Sequence, residues 1–137
     1  HADVAVVVTN PEISSVRDSD RIIGLLDSKT AKAEKGEKIE KHLLLTRFDA
    51  DRAVRGEMLK TEDVLEILAI PLLGIIPESQ VLRASNLGMP VTLSDPASAP
   101  ARAYMDAAKR LKGEVVAMII PGQKRRFIAK LFGRRAA

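Results

Sequence analysis

The sequence predicts an α/β chain organised around a parallel β-sheet, and three observations carry that prediction. The first is the stretch 4–12 (VAVVVTNPE), where five apolar residues in a row end in Thr9-Asn10-Pro11-Glu12, Pro11 stops the ladder and a helix begins. Such a run reads as a strand buried on both faces, because a half-exposed strand alternates apolar and polar residues. The second is the repetition of the same device: HLLLT runs into Arg47-Phe48-Asp49, and LLGII runs into Pro77-Glu78. The third is that helical patterns separate these runs, which argues for parallel β-α units with right-handed crossovers. Open α/β sheets place their ligands at the carboxyl ends of such strands.

After the first corner, Ile13, Val16, Ile22, Ile23, Leu25 and Leu26 lay an apolar face through ISSVRDSDRIIGLLDS. Ser14, Ser15 and Asp18 near its start suit a helix N-terminus. Residues 29–41 (KTAKAEKGEKIEK) are almost wholly charged and read as a solvated turn of helix and a loop. A second apolar strand follows at 42–46. Thr61 is expected to cap the helix TEDVLEIL, with Glu62 and Asp63 in its first turn and Val64, Leu65 and Leu68 inward. A third buried strand is expected at 72–76, a short helix at 80–86 and a brief fourth strand at 91–93. Ser98 is placed to cap PARAYMDAAKRLKG, and Gly113 to close it at the C′ position. The Pro-Gly break within 114–123 reads as a tether.

The 137 residues suit one modest domain. Three Phe, one Tyr and no Trp imply an aliphatic core. With no cysteine, disulfides, thiol catalysis and thiolate metal sites are excluded. The longest apolar stretch, 67–76, contains Pro71 and is too short to span a membrane. The net charge of +4 hides an asymmetry: six of the 22 basic residues follow Glu114 and none of the 18 acidic ones does. The remainder is therefore slightly acidic, and a general affinity for nucleic acid does not follow.

Several segments, TNPEISSVRDSDRIIGLL, HLLLTRFD, GEMLKTEDVLEILAIPLLGIIPES, VLRASNLG and KRRFIAKLFG, together resemble the ParA/MinD group of P-loop ATPases, and within it the septum-site-determining branch. They cover nearly the whole chain but only the carboxyl-terminal half of such a protein. One residue fewer stands between Pro77 and Val81 than in the family's usual pattern. The resemblance implies a partial doubly wound sheet of the P-loop type, with residues 1–113 as the domain half, 114–123 as the tether and 124–137 as a membrane-targeting tail. It implies a parent that binds ATP and Mg2+, dimerises on ATP and works at the inner face of the bacterial cell membrane. No G-x-x-x-x-G-K-[ST] occurs in the sequence, so tight nucleotide binding and hydrolysis are not expected of this chain alone. The strand at 4–9 is expected to lie beside the phosphate-loop strand of the intact fold, leaving its outer edge bare here.

On spacing alone Arg47 reads as a surface arginine at a strand end, and Glu78 as a helix-start carboxylate. With the resemblance, Arg47, Pro77 and Glu78 become the base edge of a nucleotide site, the guanidinium donating to or stacking on a purine. Asp18 and Asp20 are a solvated helix face on their own. The resemblance places them, with Glu12, near the dimer interface and the surface used by MinC-like and MinE-like partners. His1 and His42 are lone imidazoles read as neither catalytic nor metal-binding, and no metal site or catalytic residue is expected.

The tail speaks without any family. Phe127, Ile128, Leu131 and Phe132 fall on one narrow helical face, surrounded by Lys124, Arg125, Arg126, Lys130, Arg134 and Arg135. This is the pattern of a helix lying in an anionic headgroup layer. A docked terminal helix or a nucleic-acid tail are the alternatives. The preceding break opposes the first, and the clustered apolar residues oppose the second. The competing class for the whole chain is a non-enzymatic adaptor held to the membrane by the same tail.

Overall fold

The computed structural model describes residues 2–122, apart from the side chains of residues 84 and 85. Three strands, β1 (Val4–Thr9), β2 (Glu40–Phe48) and β3 (Leu72–Pro77), form one parallel sheet in the order β1-β2-β3. Thr9 stands beside Leu45, and Phe48 beside Pro77, so all three strands end along one edge. The helices between them are α1 (Ile13–Ser28), α2 (Ala31–Glu34), α3 (Ala50–Val54) and α4 (Thr61–Leu68). After β3 come α5 (Gln80–Ser85), α6 (Val91–Ser94) and α7 (Ala99–Leu111).

Both faces of β2 and β3 are covered. On one face Val7, Leu43, Leu45, Phe48 and Ile75 meet Val16 and Ile23 of α1 and Val64 and Leu68 of α4. On the other, Leu44, Leu73 and Ile76 meet Ala107 of α7. Gly74 permits that approach, because a Cβ there would lie 3.1 Å from the Ala107 Cβ. α7 begins and ends as its sequence suggests. Ser98 accepts from the Ala101 amide, and Gly113 follows at φ +89.

Four expectations need correction. β1 is not buried on both faces: Val7 and Thr9 are buried, while Val4, Val6 and Val8 are 42, 37 and 57% exposed. α7 covers β3 and β2 but stops short of β1, so the second face of the edge strand faces solvent. Residues 91–93 are helical rather than extended. The Pro90 carbonyl accepts from the Leu93 and Ser94 amides, closing a turn that a three-residue run cannot resist. Thr61 is the first helical residue and not the cap; Lys60 is, its amide donating to the Asp63 carboxylate at 3.2 Å. Glu12 holds the cap position of α1 without a cap bond from its side chain, and Ser14 and Ser15 lie in the first turn, near the start as expected. The charged stretch 29–41 holds α2, capped by the Thr30 hydroxyl, and its last two residues enter β2.

Residues 114–122 contain neither helix nor strand, yet they are held down. Met118 and Ile120 pack against the core, and Arg110 donates to the Val116 and Ala117 carbonyls. The apolar and basic tail residues Lys124, Arg125, Arg126, Phe127, Ile128, Lys130, Leu131 and Phe132 lie outside the described residues.

Candidate functional site

Because the strands are parallel, their carboxyl-terminal corners meet. They enclose a cavity of about 280 Å³ whose lining includes Asn10, Arg47, Arg52, Met58, Glu78 and Arg83. Arg47 reaches it through a backbone irregularity. Between Leu45 and Phe48 the β2 register slips against β3, and Arg47 sits at φ +56, a conformation that costs a non-glycine residue free energy. The surroundings hold it there. Its Nε donates to Glu78 Oε2 at 2.9 Å, and the Glu78 amide donates to the Phe48 carbonyl at 2.8 Å. The other carboxylate oxygen, Oε1, accepts from Arg83 Nε of α5 at 2.9 Å. Glu78 is thus a shared acceptor for two guanidiniums, and its side chain is only 12% exposed.

Burial pushes the Glu78 carboxyl upward, but the bonds from Arg47 and Arg83 outweigh it and hold it below the ordinary glutamate range. The same contact with Glu78 raises Arg47. A carboxyl lowered by folding stabilises the fold above its unfolded value, and that contribution disappears as pH falls through the folded value. Glu78→Gln should therefore lose about 1 kcal/mol at pH 7, the upper range for partly exposed ion pairs. Urea denaturation should show that difference closing as the pH drops below about 4.3. A gap independent of pH would mean that packing, not charge, makes the contact.

At the β1 corner the Thr46 hydroxyl donates to Asn10 Oδ1 at 3.0 Å, which leaves the amide nitrogen of Asn10 as a donor. Asn10 was not singled out from the sequence, although a polar amide between a strand and Pro11 is a readable signal. Arg83, Arg52 and Met58 were missed too. Glu12 lies at the same edge, 3.4 Å from Arg52 Nη2. Asp49 caps α3 by accepting from the Asp51 and Arg52 amides.

The structure thus brings Arg47 and Glu78 together with Glu12 at this cavity, while Pro77, at the end of β3, lines a separate cavity with Ile75 and Met118. Asp18 and Asp20 stand apart on the exposed side of α1, Asp18 in an ion pair with Arg21 at 3.4 Å. Asp18 borders a groove of about 700 Å³ along the outer edge of β1, which pairs with no strand among the described residues, with Val6, Val8 and Ile22. Among the described residues no three His, Cys, Asp or Glu side chains stand together as a metal site. No described helix is long and apolar enough to cross a membrane. Chemically, the corner offers planar donors, one amide and one fixed carboxylate around a space open to a flat, polar-edged ligand.

The septum site-determining protein MinD of Escherichia coli K12 is 56% identical over 135 residues, covering 96% of this chain and 50% of MinD. The MinD of Neisseria meningitidis serogroup B is 53% identical over 134 residues, with 96% and 49% coverage. The chain corresponds to the carboxyl-terminal half of the MinD family. It spans about half the length of the curated MinD relatives it matches. Among solved structures, MinD of Aquifex aeolicus matches with TM-score 0.73 at 36% identity, over 86% of this chain and 47% of that one. The MinC:MinD complex of Aquifex aeolicus gives 0.71 at 34%, over 92% and 47%. MinD of Pyrococcus horikoshii complexed with Mg-ADP gives 0.64 at 30%, over 80% and 41%. The fold is therefore that of the MinD/ParA P-loop ATPases, seen here as a parallel three-stranded part. No protein-family model matches the chain.

Proposed function

We propose that this chain is the base-edge, partner-binding and membrane-binding part of a MinD-type ATPase that positions the division septum. The observation that carries the proposal is the 56% identity to Escherichia coli MinD along nearly all of the chain. The corner at Asn10, Arg47, Pro77 and Glu78 fits the edge of a purine. Arg47 and Asn10 supply donors, Glu78 holds Arg47 in place, and Pro77 sets the turn from β3 that delivers Glu78. The Mg-ADP bound by Pyrococcus horikoshii MinD supports an adenine nucleotide as the ligand. Bound ATP and Mg2+ would supply the phosphoryl group and the charge that stabilises its transfer. No residue of this chain is assigned to the metal, because no described group of donors fits it.

Glu12, Asp18 and Asp20 are proposed as the surface for a second copy and for MinC-like and MinE-like partners. The MinC:MinD complex of Aquifex aeolicus supports the MinC-like part. Residues 1–113 form the domain part and 124–137 the tail, which holds the protein at the cytoplasmic membrane face. One tail binds weakly, and two tails in an ATP-dependent dimer bind far better because the second attachment is intramolecular.

Two measurements test the proposal. The purified chain should show no magnesium-dependent ATP hydrolysis above a buffer control, since its sequence contains no phosphate-binding loop. Fused behind the amino-terminal half of Escherichia coli MinD, it should give ATP-dependent liposome binding, weakened by Arg47→Ala. Hydrolysis by the chain alone, or a fusion indifferent to ATP, would overturn the reading.

A further inference from the structure

We propose that residues 114–122 are a rigid strut that fixes the point where the tail leaves the body, beside the base-edge corner. The Pro-Gly sequence suggests a loose connector, but the contacts are those of a fixed one. Burial alternates along it: Val116, Met118 and Ile120 turn inward, while Val115, Ala117 and Ile119 face solvent. Arg110 of α7 is the clamp. Its Nε donates to the Val116 carbonyl at 3.0 Å, Nη2 to the Ala117 carbonyl at 2.6 Å, and Nη1 to the Leu73 carbonyl of β3 at 2.9 Å. One guanidinium thus ties the strut and α7 to the backbone of β3 at Leu73.

These bonds matter because packing beneath the strut is incomplete. A cavity of about 410 Å³ lies between Ile75, Pro77, Ala103, Met118, Ile119 and Pro121. Apolar contact alone would leave the segment free to shift, and a planar fork with fixed donors restricts it. Burial lowers the Arg110 guanidinium, an effect opposed by Asp106 one turn earlier.

The far end is fixed by shape. Gly122 sits at φ +82, and a Cβ there would come within 2.5 Å of the Ala50 Cβ. Ala50 is the first residue of α3 and follows Asp49, which lines the base-edge cavity. Movement of α3 at that cavity is therefore felt at the root of the tail. Only this second link rests on the nucleotide reading of the corner; the rigidity of the strut does not.

The chain has no cysteine, so a pair of spin labels can be placed cleanly at Val54→Cys on α3 and Ile119→Cys on the strut, both exposed. Electron-electron resonance on the full chain carrying Val8→Lys, so that labels on associated copies do not contribute, should give one narrow distance distribution. Adding Arg110→Gln should abolish the narrow component. A broad distribution in the parent would show a free tether, and a narrow one that survives Arg110→Gln would show that Arg110 is not the clamp. The parent measurement stands even if the Arg110 variant fails to fold. Gly122→Ala should raise amide exchange in α3 by about tenfold through local opening, and unchanged exchange there would remove the link to the corner. None of these readouts involves lipid or nucleotide, so they separate this inference from the proposed function.

Discussion

Leu131→Glu is expected to abolish co-sedimentation of the chain with anionic liposomes. Phe127, Ile128, Leu131 and Phe132 recur at i, i+1, i+4 and i+5, and in the proposed membrane-bound helix each would contribute at most about 1.5–3 kcal/mol on full burial. Each nearby cation adds about 1 kcal/mol on an anionic surface. Helix formation in so short a segment and lost translational freedom offset much of that gain. The surplus is small, so one interior substitution removes it. Losing a leucine and inserting a carboxylate where the face must desolvate costs about two orders of magnitude in affinity or more. Ile128→Leu keeps the apolar area and should bind as the parent does. Arg134→Gln with Arg135→Gln should weaken binding in proportion to the anionic lipid fraction and leave neutral liposomes unaffected. A nucleic-acid tail would respond in the opposite way, with affinity following salt through the cations and Phe132→Ala nearly silent. The decisive comparison is a DNA titration beside the liposome series on the same variants. Parent-like sedimentation of Phe132→Ala would end the membrane reading.

The parallel sheet was legible because β2 and β3 carry continuous apolar runs and each stops at a polar corner. Leu43 and Leu45 face one helical layer and Leu44 the other, so every position is apolar and the run itself reports burial on both faces. β1 deceived for the same reason. In VAVVV each position is also apolar, yet only Val7 of the five is buried. Composition cannot say whether a helix lies over the second face; that depends on where α7 ends. α6 was misread because VTL has β-branched residues but no neighbouring strand to pair with, and local turn bonds to Pro90 prevail.

The corner was half legible. Arg47, Pro77 and Glu78 each follow a strand, and parallel pairing delivers strand ends to one edge without further information. Arg83 was not, because it meets Glu78 from five residues away across a loop and helix start, outside the i,i+3 and i,i+4 spacings that mark helical pairs. The left-handed backbone at Arg47 was equally hidden, since arginine gives no sign of it. Arg110 carries no signal in the sequence beyond being a basic residue in the last turn of a helix. Only the folded chain brings three carbonyls around it.

The bare side of β1 leads to the second large expected effect: the isolated chain should self-associate, and Val8→Lys should return it to a monomer. The segment VAVVVT is six residues of strong β propensity with neither charge nor proline, the composition of an aggregation-prone edge. Its outer backbone edge has no pairing strand among the described residues, and Val4, Val6 and Val8 expose an apolar row beside Ile22 of α1. Lysine on such a row is the usual guard against edge pairing, because a second copy would have to desolvate it. Val8 is the position to change. It is 57% exposed, so its replacement should alter folding stability by no more than about 0.5 kcal/mol. Val7→Lys is the contrasting control. That side chain is 8% exposed against Val16 and Leu43 in the core cluster, and a charge there should unfold the chain rather than solubilise it. Sedimentation velocity at about tens of micromolar, where partly exposed folds commonly associate, should show oligomers for the parent and one monomer boundary for Val8→Lys. A monomeric parent at that concentration would mean that the strand's twist or its flanking residues already guard the edge.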